Sequence, residues 1–391
     1  MFDTAIIGAG ASGLFSAIIA ARRGKKVFLC ERLPRVGKKI LSTGNGRCNI
    51  SNLHISVERY HGTTPLFASS ALSAFSERDT IDFFESIGLP LIEGEAGKLF
   101  PQSLQATSVL DLMRLELARL HVTETVDCFI TVIKKKGDFF QLQSEDGRSF
   151  TAKTVIIAAG GKAAPSMGTD GSAYSLCTSL GHSIIKPFPA LCQLKSAPPM
   201  RALKGVKHQG IATIYIDNKP FRSELGEILF TDYGISGPPV FNLSRIASQA
   251  VIDNHTIKVL LNFFPGFDEH SIYEILKQRR EKLPHLKDEN FLFGLMPKLL
   301  AKEVYKHFSN DKELAKNLTS FPLKITGVMP WANAQVTAGG VATKDVNPKT
   351  MESKITPGLF FCGEILDIDG DCGGFNLQWA WSSGYAAAIN V

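Results

Sequence analysis

The sequence predicts an α/β fold whose parallel sheet takes strands from both ends of the chain. Near the start, the apolar run at residues 4–7 is followed by a glycine-rich turn and then by apolar residues at helical spacing. Residues 154–161 form a longer apolar run that ends in small residues, which is typical of a strand buried in a parallel sheet. After residue 323 the composition returns to that of the first part, and residues 358–364 are predicted as another short buried strand.

The first turn has the spacing Gly8-x-Gly10-x-x-Gly13. In dinucleotide sites the first glycine permits the tight turn, the second lets the backbone approach a pyrophosphate, and the third lets the helix pack on the strand. The free N–H groups of that helix then face the phosphates. A strand over residues 26–30 leads to Glu31, about 20 residues beyond the glycines, where an acid is expected to bind a ribose hydroxyl. An ordinary βαβ turn is the alternative, but the order of these elements favours a dinucleotide site.

Length and composition set the broad class of the protein. A chain of 391 residues with 44% hydrophobic and 20% charged residues predicts two or three ordinary globular domains. No apolar run reaches the length of a membrane span, and the chain goes directly into its first strand, so we expect no signal peptide and no membrane contact. Seven scattered cysteines without metal-type pairs predict a cytoplasmic protein with no metal site. The net charge of +6 is compatible with an acidic substrate or a nucleic acid and predicts neither.

Residues 35–49 are predicted as an irregular glycine-rich loop at the carboxyl end of the second strand, where the ligand crevice of such a sheet opens. Lys39 and Arg47 are candidates to neutralise phosphates or a flavin anion, and a plain surface loop is the alternative. Cys48 has no second cysteine close by, so we interpret it as a packing residue in preference to a catalytic thiol.

The rest of the first part alternates helices and strands up to a proline-rich boundary near residue 190. Residues 63–120 are predicted to be mostly helical, with Ser76 capping a helix that ends near Gly88. A helix from residue 169 to residue 181 follows the buried strand. Short strands are predicted at residues 122–126, 129–134, 139–143 and 149–152.

The middle of the chain is predicted to be β-rich and then helical. Strands are expected at residues 211–216, 227–230 and 256–261, and residues 267–320 are helical and charged. The segment 229–239 contains two glycines and two prolines, which indicates a fixed loop. From it Asp232 or Tyr233 is a candidate to face a substrate, and a structural turn is an equal alternative.

The C-terminal part contributes a second set of candidate site residues. Glu364 ends its strand and is a candidate to bind the hydroxyls of a ribityl chain. A last helix is predicted at residues 379–389, and free amides at Phe375 to Leu377 suit the negative charge at the N1/C2-carbonyl end of a reduced flavin. Cys372 would lie near the ring, although a packing role is favoured.

Four motifs carry a family resemblance that spans nearly the whole chain. They are GKKILSTGNGRCN at 37–49, FTDYGISGP at 230–238, VTAGGV at 336–341 and GGFNLQ at 373–378. With these the chain resembles the two-dinucleotide-binding-domain flavoproteins and, more narrowly, the BaiN-like, aminoacetone-oxidase-like bacterial family. The resemblance implies a Rossmann-type FAD-binding domain split between the two chain ends, interrupted by a β-barrel-like insert and a small helical insert. The implied boundaries are 1–190, 191–262, 263–322 and 323–391.

The same resemblance implies which residues contact FAD. It implies that the first turn binds the pyrophosphate and that Glu31 binds the adenosine ribose. It also implies that the backbone of Val126 contacts adenine and that the last helix contacts the flavin. The implied FAD-binding residues are Gly8, Gly10, Ala11, Ser12, Gly13, Glu31, Arg32, Lys39, Thr43, Gly44, Arg47, Val126, Ala159, Gly160, Gly363, Glu364, Gly374, Phe375, Asn376 and Leu377.

The resemblance implies an oxidoreductase without naming its substrate. The first hypothesis is an FAD-dependent reductase of an activated carbon–carbon double bond in a small molecule, with NADPH or NADH as a transient reductant. The alternatives are a flavoenzyme that reduces uridine in ribosomal RNA, an amine oxidase that uses oxygen and, more weakly, a flavin sensor. Cys48, Tyr233 and Cys372 are equivalent candidates for a proton donor, and the oligomeric state is open. The candidate RNA contacts are Arg201, Lys204, Lys207 and His208.

Overall fold

The computed structural model describes residues 1–287, 290–306, 308 and 310–391. Residues 288, 289, 307 and 309 belong to the predicted helical insert and lie outside the described residues. The described chain forms two compact units. Unit 1 contains Met1–Phe188 and Val336–Val391, and unit 2 contains Pro189–Gln335.

The regular elements are labelled here in chain order. The strands are β1 (Phe2–Ile7), β2 (Val27–Cys30), β3 (Ser51–Asn52), β4 (Tyr60–His61), β5 (Leu91–Glu93), β6 (Lys98–Pro101), β7 (Thr123–Thr125), β8 (Ile130–Lys136), β9 (Phe139–Ser144), β10 (Ser149–Ile157), β11 (Ile184–Ala190), β12 (Leu194–Ala197), β13 (Lys207–Ile216), β14 (Lys219–Phe230), β15 (Gly234–Ser236), β16 (Ile257–Asn262), β17 (Phe321–Val328), β18 (Val336–Val341), β19 (Leu359–Phe361) and β20 (Asp369–Gly370). The α-helices are α1 (Ala11–Arg22), α2 (Lys38–Ser42), α3 (Ala68–Ala74), α4 (Glu77–Ser86), α5 (Ala106–Arg119), α6 (Ala173–Ser179), α7 (Pro238–Ile252), α8 (Glu269–Lys282), α9 (Lys298–Tyr305), α10 (Asp311–Thr319) and α11 (Phe375–Ala388).

The main sheet of unit 1 joins the two ends of the chain. Its order is β7-β2-β1-β10-β9-β8, and β19 pairs with β10. β1 runs parallel to β2 and to β10, and β19 runs parallel to β10. Ile7 is in register with Cys30 and Ile157, and Ile157 is in register with Phe361. The carboxyl ends of these strands therefore meet at one edge, and the predicted α/β fold with a split parallel sheet is confirmed.

Buried contacts hold the last helix against the first. Phe15 of α1 lies with its ring centroid 5.6 Å from that of Trp381 in α11. Gln378 is fully buried and accepts hydrogen bonds from Ser51 and Thr80 at 2.6 and 2.9 Å. Since a buried amide is costly unless it is hydrogen-bonded, this network fixes the position of α11 in unit 1.

Unit 2 is built on a closed antiparallel barrel with the strand order β12-β15-β14-β13-β16-β17. It has its own core, which includes Phe230, Leu243 and Phe291. The predicted β-barrel-like insert is thus confirmed. β17 pairs with β16 and β12, although its residues from 323 onward were assigned from sequence to the second part of the FAD-binding domain.

Three local predictions were wrong. The segment 229–239 is not one loop, because it ends in β15 and the first turn of the 15-residue helix α7. Pro238 and Pro239 fit there because the first turn of a helix has no partner for their missing N–H groups. The loop 35–49 contains the short helix α2, and residues 149–157 form one continuous strand instead of two.

Candidate functional site

The three glycines of the first turn occupy three different environments. A Cβ on Gly8, which has φ +96°, would lie 2.7 Å from the carbonyl oxygen of Ala158. A Cβ on Gly13 would lie only 1.9 Å from the carbonyl oxygen of Gly8. A Cβ on Gly10 would meet no atom within 4 Å. Gly8 and Gly13 thus serve close backbone packing, whereas Gly10 borders open space that a ligand can enter.

The N-terminus of α1 opens towards that same space. Its N-cap residue, Gly10, has no side chain to accept the first N–H groups, and the first turn holds no acidic residue. Ser12 is turned away, since its hydroxyl donates to the carbonyl oxygen of Cys362 at 3.5 Å. The amides and the positive dipole end are therefore suited to an anion.

Glu31 ties the first turn to the loop after β2. Its Oε2 accepts from the N–H of Ala9 and its Oε1 from the N–H of Leu33, each at 3.0 Å. Burial raises the pKa of this carboxyl above its ordinary value. Arg32 does not point freely into the crevice, because its guanidinium lies 2.7 Å from Asp170 and 4.8 Å from the centroid of the Phe129 ring.

A cavity lies beside Glu31 at the carboxyl edge of the sheet. It is lined by residues that include Gly8, Glu31, Phe129, Ala159 and Gly171. The predicted adenine contact, Val126, directly follows Thr125, whose carbonyl oxygen accepts from the N–H of Glu31 at 2.9 Å. Gly160 adopts φ +69° where the chain leaves β10, so the backbone there turns along the edge.

The structure brings Lys39 and Glu364 together, although they are far apart in the chain. The Lys39 ammonium lies 2.7 Å from Glu364 Oε2, and Glu364 Oε1 accepts from the N–H of Thr337 at 2.9 Å. A Cβ on Gly363 would lie 2.5 Å from the Ser12 hydroxyl oxygen. The loop after β2, the end of β19 and the start of α1 therefore converge on one place.

The remaining predicted residues of the loop 35–49 mainly shape the loop itself. The Thr43 hydroxyl donates to the carbonyl oxygen of Ile40, and Gly44 adopts φ +56°. The Arg47 guanidinium lies 5.0 Å from the centroid of the Phe100 ring. Cys48 is fully buried, and burial raises the pKa of its thiol to about 12, which keeps it protonated and favours the packing interpretation.

The N-terminus of α11 begins at Phe375, four residues earlier than the sequence predicted. Gly374 precedes it with φ +104°, and a Cβ there would lie 2.3 Å from the carbonyl oxygen of Ser51. The first turn holds no acid and no side-chain cap. The side chain of Asn376 is bonded to both the N–H and the C=O of Gly370, so Asn376 has its backbone N–H to offer a ligand, as does Leu377.

These features fit FAD, whose pyrophosphate and flavin ring need separate binding groups. Two uncapped helix N-termini, at α1 and α11, supply amides for phosphate and for the flavin carbonyl. Two buried polar atoms, Asn49 Oδ1 and the Tyr174 hydroxyl, have no hydrogen-bond partner within the described structure. Asn49 Oδ1 would lie 3.1 Å from a Cβ on Gly374, at the start of α11. Because such atoms are costly when unpaired, they indicate space for a polar ligand.

One cluster beside α11 was missed by sequence reasoning. His61 Nε2 lies 2.8 Å from Asp371 Oδ1, and the Arg59 guanidinium lies 3.3 Å from Asp371 Oδ2. No motif signals this cluster, because Asp371 is about 310 positions away from Arg59 and His61 and is brought to them by tertiary contacts such as the pairing of β4 with β20.

Several candidate residues of unit 2 are paired with other groups of the same unit. The Lys204 ammonium lies 3.0 Å from Asp232, and that of Lys207 lies 2.9 Å from Glu227. His208 Nε2 lies 2.9 Å from the carbonyl oxygen of Phe263. These pairs reduce the net positive charge of the predicted RNA-binding surface.

Metal-binding clusters and membrane-spanning helices are both absent from the residues that the structure describes. In that part of the chain no His, Cys, Asp and Glu side chains are grouped so as to hold a metal ion. None of the described helices is both long and apolar enough to pass through a bilayer.

Comparison with known proteins points to one family. Residues 2–390 match the family model described as HI0933-like protein Rossmann domain. A 3-dehydro-bile acid delta(4,6)-reductase from Clostridium scindens is 37% identical over 398 residues, which cover 98% of this chain and 97% of the relative. A ribosomal RNA dihydrouridine synthase from Escherichia coli strain K12 is 30% identical over 406 residues, covering 100% of this chain and 98% of the relative.

The solved structures add a likeness of fold. The 3-ketosteroid delta1-dehydrogenase of Sterolibacterium denitrificans, crystallised with 1,4-androstadiene-3,17-dione, superposes with a TM-score of 0.51 at 12% identity. The match covers 99% of this chain and 98% of that one. The chain therefore shares its fold with a known oxidoreductase.

Proposed function

Since this chain belongs to the HI0933-like Rossmann family of FAD-dependent oxidoreductases, we propose that it reduces an activated carbon–carbon double bond in a small molecule. NADPH or NADH is the proposed reductant. The observation that carries the proposal is the full-length similarity, at 37% identity, to a reductase whose name places its action at the delta(4,6) position of a 3-dehydro-bile acid. A double bond conjugated to a carbonyl is the substrate class that this relative suggests.

We propose that FAD lies along the carboxyl edge of the unit 1 sheet. Bound there, it supplies hydride transfer to the substrate. Gly8, Gly10 and the first amides of α1 would hold the pyrophosphate, and Glu31 would accept from a ribose hydroxyl in addition to the N–H groups of Ala9 and Leu33. The Lys39–Glu364 pair is supported as a ribityl or pyrophosphate contact by its place between α1 and β19.

The N-terminus of α11 is the proposed binding site for the flavin carbonyl end. Backbone N–H groups at Phe375, Asn376 and Leu377 point out of a helix start that no side chain caps. Fixed donors of this kind favour negative charge on a ligand without any reorganisation. They would therefore ease reduction of the bound ring.

The sequence has no second nucleotide-binding motif that would be dedicated to the reductant. The sequence contains no further Gly-x-Gly-x-x-Gly turn between a strand and a helix. A nicotinamide would consequently bind at the open face of the flavin and leave before the substrate arrives.

Anaerobic mixing of the purified holoprotein with NADPH and then NADH tests this proposal. We expect rapid bleaching of the flavin absorbance, followed by its return when a 3-oxo-4,6-diene bile acid is added. A flavin that is bleached only by amines and restored by oxygen would instead show an amine oxidase. A flavin that neither nicotinamide bleaches would exclude the proposed reductant.

Reduction of uridine in ribosomal RNA is the second candidate function. It is favoured by the similarity to the Escherichia coli dihydrouridine synthase, because forming dihydrouridine also saturates an activated ring double bond. The pairing of Lys204 and Lys207 with acids counts against a strongly basic docking surface. Binding of a ribosomal RNA fragment should weaken steeply with salt if phosphate contacts dominate. An absence of binding at low salt would remove this candidate.

A further inference from the structure

A polar cluster lies beside α11 and consists of His61, Asp371 and Arg59. None of these residues is among the proposed FAD contacts. The Asp371 side chain is 2% exposed, and it is hydrogen-bonded to an imidazole that is 24% exposed. The Arg59 guanidinium, at 3.3 Å, pairs with the same carboxylate. A partly open histidine backed by a buried carboxylate is the arrangement that orients an imidazole for proton transfer.

The cluster is fixed to the start of α11 by direct contacts. The hydroxyl of Tyr60, the neighbour of His61, donates to the carbonyl oxygen of Phe375 at 3.0 Å. The Arg59 guanidinium lies 5.7 Å from the centroid of the Phe375 ring. Asp371 precedes Phe375 by four positions, and its N–H donates to the carbonyl oxygen of Arg59 at 2.9 Å. The histidine therefore lies beside the helix end proposed to bind the flavin ring.

We propose that His61 is the proton donor of the reduction and that Asp371 is its positioning residue. The inference rests on the proposed function, since it needs a double bond conjugated to a carbonyl. Asp371 holds Nε2, which leaves Nδ1 as the nitrogen that gives up its proton. This choice replaces Cys48, which is fully buried and whose thiol is a weak acid because burial raises its pKa to about 12.

The reduction adds one hydride and one proton to the double bond. The β carbon of the enone gains a hydride, whose two electrons come from the nicotinamide through FAD, and the π electrons move towards the carbonyl oxygen as an enolate. The N–H bond at Nδ1 of the His61 imidazolium then breaks and a C–H bond forms at the α carbon. Water returns a proton to the ring afterwards.

Several charged side chains lie on the segments around His61. Arg59 lies on its own segment, and Asp367, Asp369 and Asp371 lie on the facing segment that contains β20. Replacing Asp371 with Asn removes the carboxylate that orients the imidazole, so it should slow reoxidation of the flavin and leave its reduction unchanged.

The test separates the two halves of the reaction. Holoprotein reduced anaerobically is mixed with a 3-oxo-4,6-diene bile acid, and the return of the flavin band is timed for the wild type, His61→Gln, Asp371→Asn and the control His54→Gln. We expect His61→Gln to slow reoxidation about 100-fold, within the range typical of general acids, while its reduction by NADPH or NADH stays unchanged. His54 is exposed, so its variant should behave as the wild type.

A binding measurement tests the role of His61 independently of turnover. 4-Chlorophenol, whose phenolate resembles an enolate, is titrated into oxidised holoprotein and followed by its charge-transfer absorbance with the flavin. His61→Gln should bind it about tenfold more weakly, the loss typical of one hydrogen bond, with FAD content unchanged. If His61→Gln matched the wild type in both reoxidation rate and 4-chlorophenol affinity, the proposed role of His61 would be wrong while the proposed function would stand. A wild-type protein that never consumes the enone would overturn the proposed function as well.

Discussion

Glu31 is a single residue whose carboxylate serves both the fold and the proposed cofactor. In the structure its two oxygens accept from the N–H groups of Ala9 and Leu33. A ribose hydroxyl would add one hydrogen bond to a charged group, which contributes about 1.5–3 kcal/mol. Glu31→Ala should therefore weaken FAD binding by about 10–100-fold, measured by titrating the apoprotein with FAD and following flavin fluorescence.

The control for this change is Glu145→Ala, which removes an exposed carboxylate from a hairpin turn. It should leave FAD affinity at the wild-type value. Since Glu31 also orders two loops, the thermal midpoint of each apoprotein is measured in parallel. If Glu31→Ala retains full flavin after purification and dialysis, the ribose assignment is wrong.

Glu116 shows a residue-scale effect on stability that is independent of the cofactor. Hydrogen bonds and charge from Arg119, followed by those from Arg22, lower the pKa of its carboxyl from 4.5 to about 2. Because the pKa is lower in the folded state, the ionised carboxylate stabilises the fold at pH values above its ordinary pKa. This contribution is then lost as the pH falls from about 4.5 towards about 2.

Glu116→Gln should accordingly reduce the free energy of unfolding by about 1–2 kcal/mol at neutral pH. The difference from the wild type should shrink as the pH is lowered from about 4.5 towards about 2, because the carboxylate takes up its proton in the unfolded chain before it does so in the folded one. Urea unfolding at several pH values measures it. A difference that does not depend on pH would show that the ion pairs with Arg22 and Arg119 contribute nothing.

At the residue scale, the sequence indicates which residues lie together where one local pattern governs their positions. Gly8, Gly10, Gly13 and Glu31 follow a spacing that backbone geometry imposes, and the structure places all four at one edge of the sheet. The pairing of Lys39 with Glu364 bridges 325 positions, and only tertiary packing brings those side chains together. No periodicity records such a contact, and the same reason hid the pair formed by His61 and Asp371.

At the scale of elements, the turn between β1 and α1 separates stability from ligand binding. A methyl group on Gly10 meets nothing in the protein, whereas one on Gly13 would be forced against the carbonyl oxygen of Gly8. Gly10→Ala should therefore keep the apoprotein stable but fill the space of the pyrophosphate. Gly13→Ala should destabilise the fold by about 1–3 kcal/mol through overpacking.

Gly327→Ala is the matched control for Gly10→Ala, because its Cβ also meets nothing within 4 Å and its φ is not in the left-handed region. Flavin content after reconstitution and the thermal midpoint of the apoprotein are measured for all three variants. Equal flavin content in Gly10→Ala and Gly327→Ala would mean that no ligand approaches the turn at Gly10.

Helices and strands could be predicted where one hydrophobic period dominates. They were missed where a residue type is compatible with two local structures. α1 and β10 have strong patterns, so their existence followed from sequence. α7 was missed because Pro238 and Pro239 suggest a turn, although proline also suits a first helical turn. Residues 149–157 looked like two strands because the first half is half-exposed and pairs with β9, while the second half is buried between β1 and β19.

At the scale of the whole molecule, two separate hydrophobic cores account for the two units. One core joins residues from both chain ends, such as Phe15 and Trp381, and the other includes Phe230 and Phe291. Composition alone predicted that the chain ends belong together, because both carry glycine-ended buried strands. It did not predict where the barrel closes, since β17 has the alternating pattern of any half-buried strand.

This division predicts how FAD should stabilise the protein. A ligand stabilises the state to which it binds by an amount that grows with its concentration relative to Kd, about 2.7 kcal/mol at 100 times Kd. All proposed FAD contacts lie in unit 1, so hydrogen exchange in the segments Met1–Phe188 and Val336–Val391 should slow when FAD is added to apoprotein. Exchange in β13 and β16 of unit 2, which belong to the other core, should change much less. Equal protection of both sets of peptides would contradict the assignment of the cofactor to unit 1, and protection confined to unit 2 would place FAD in the barrel.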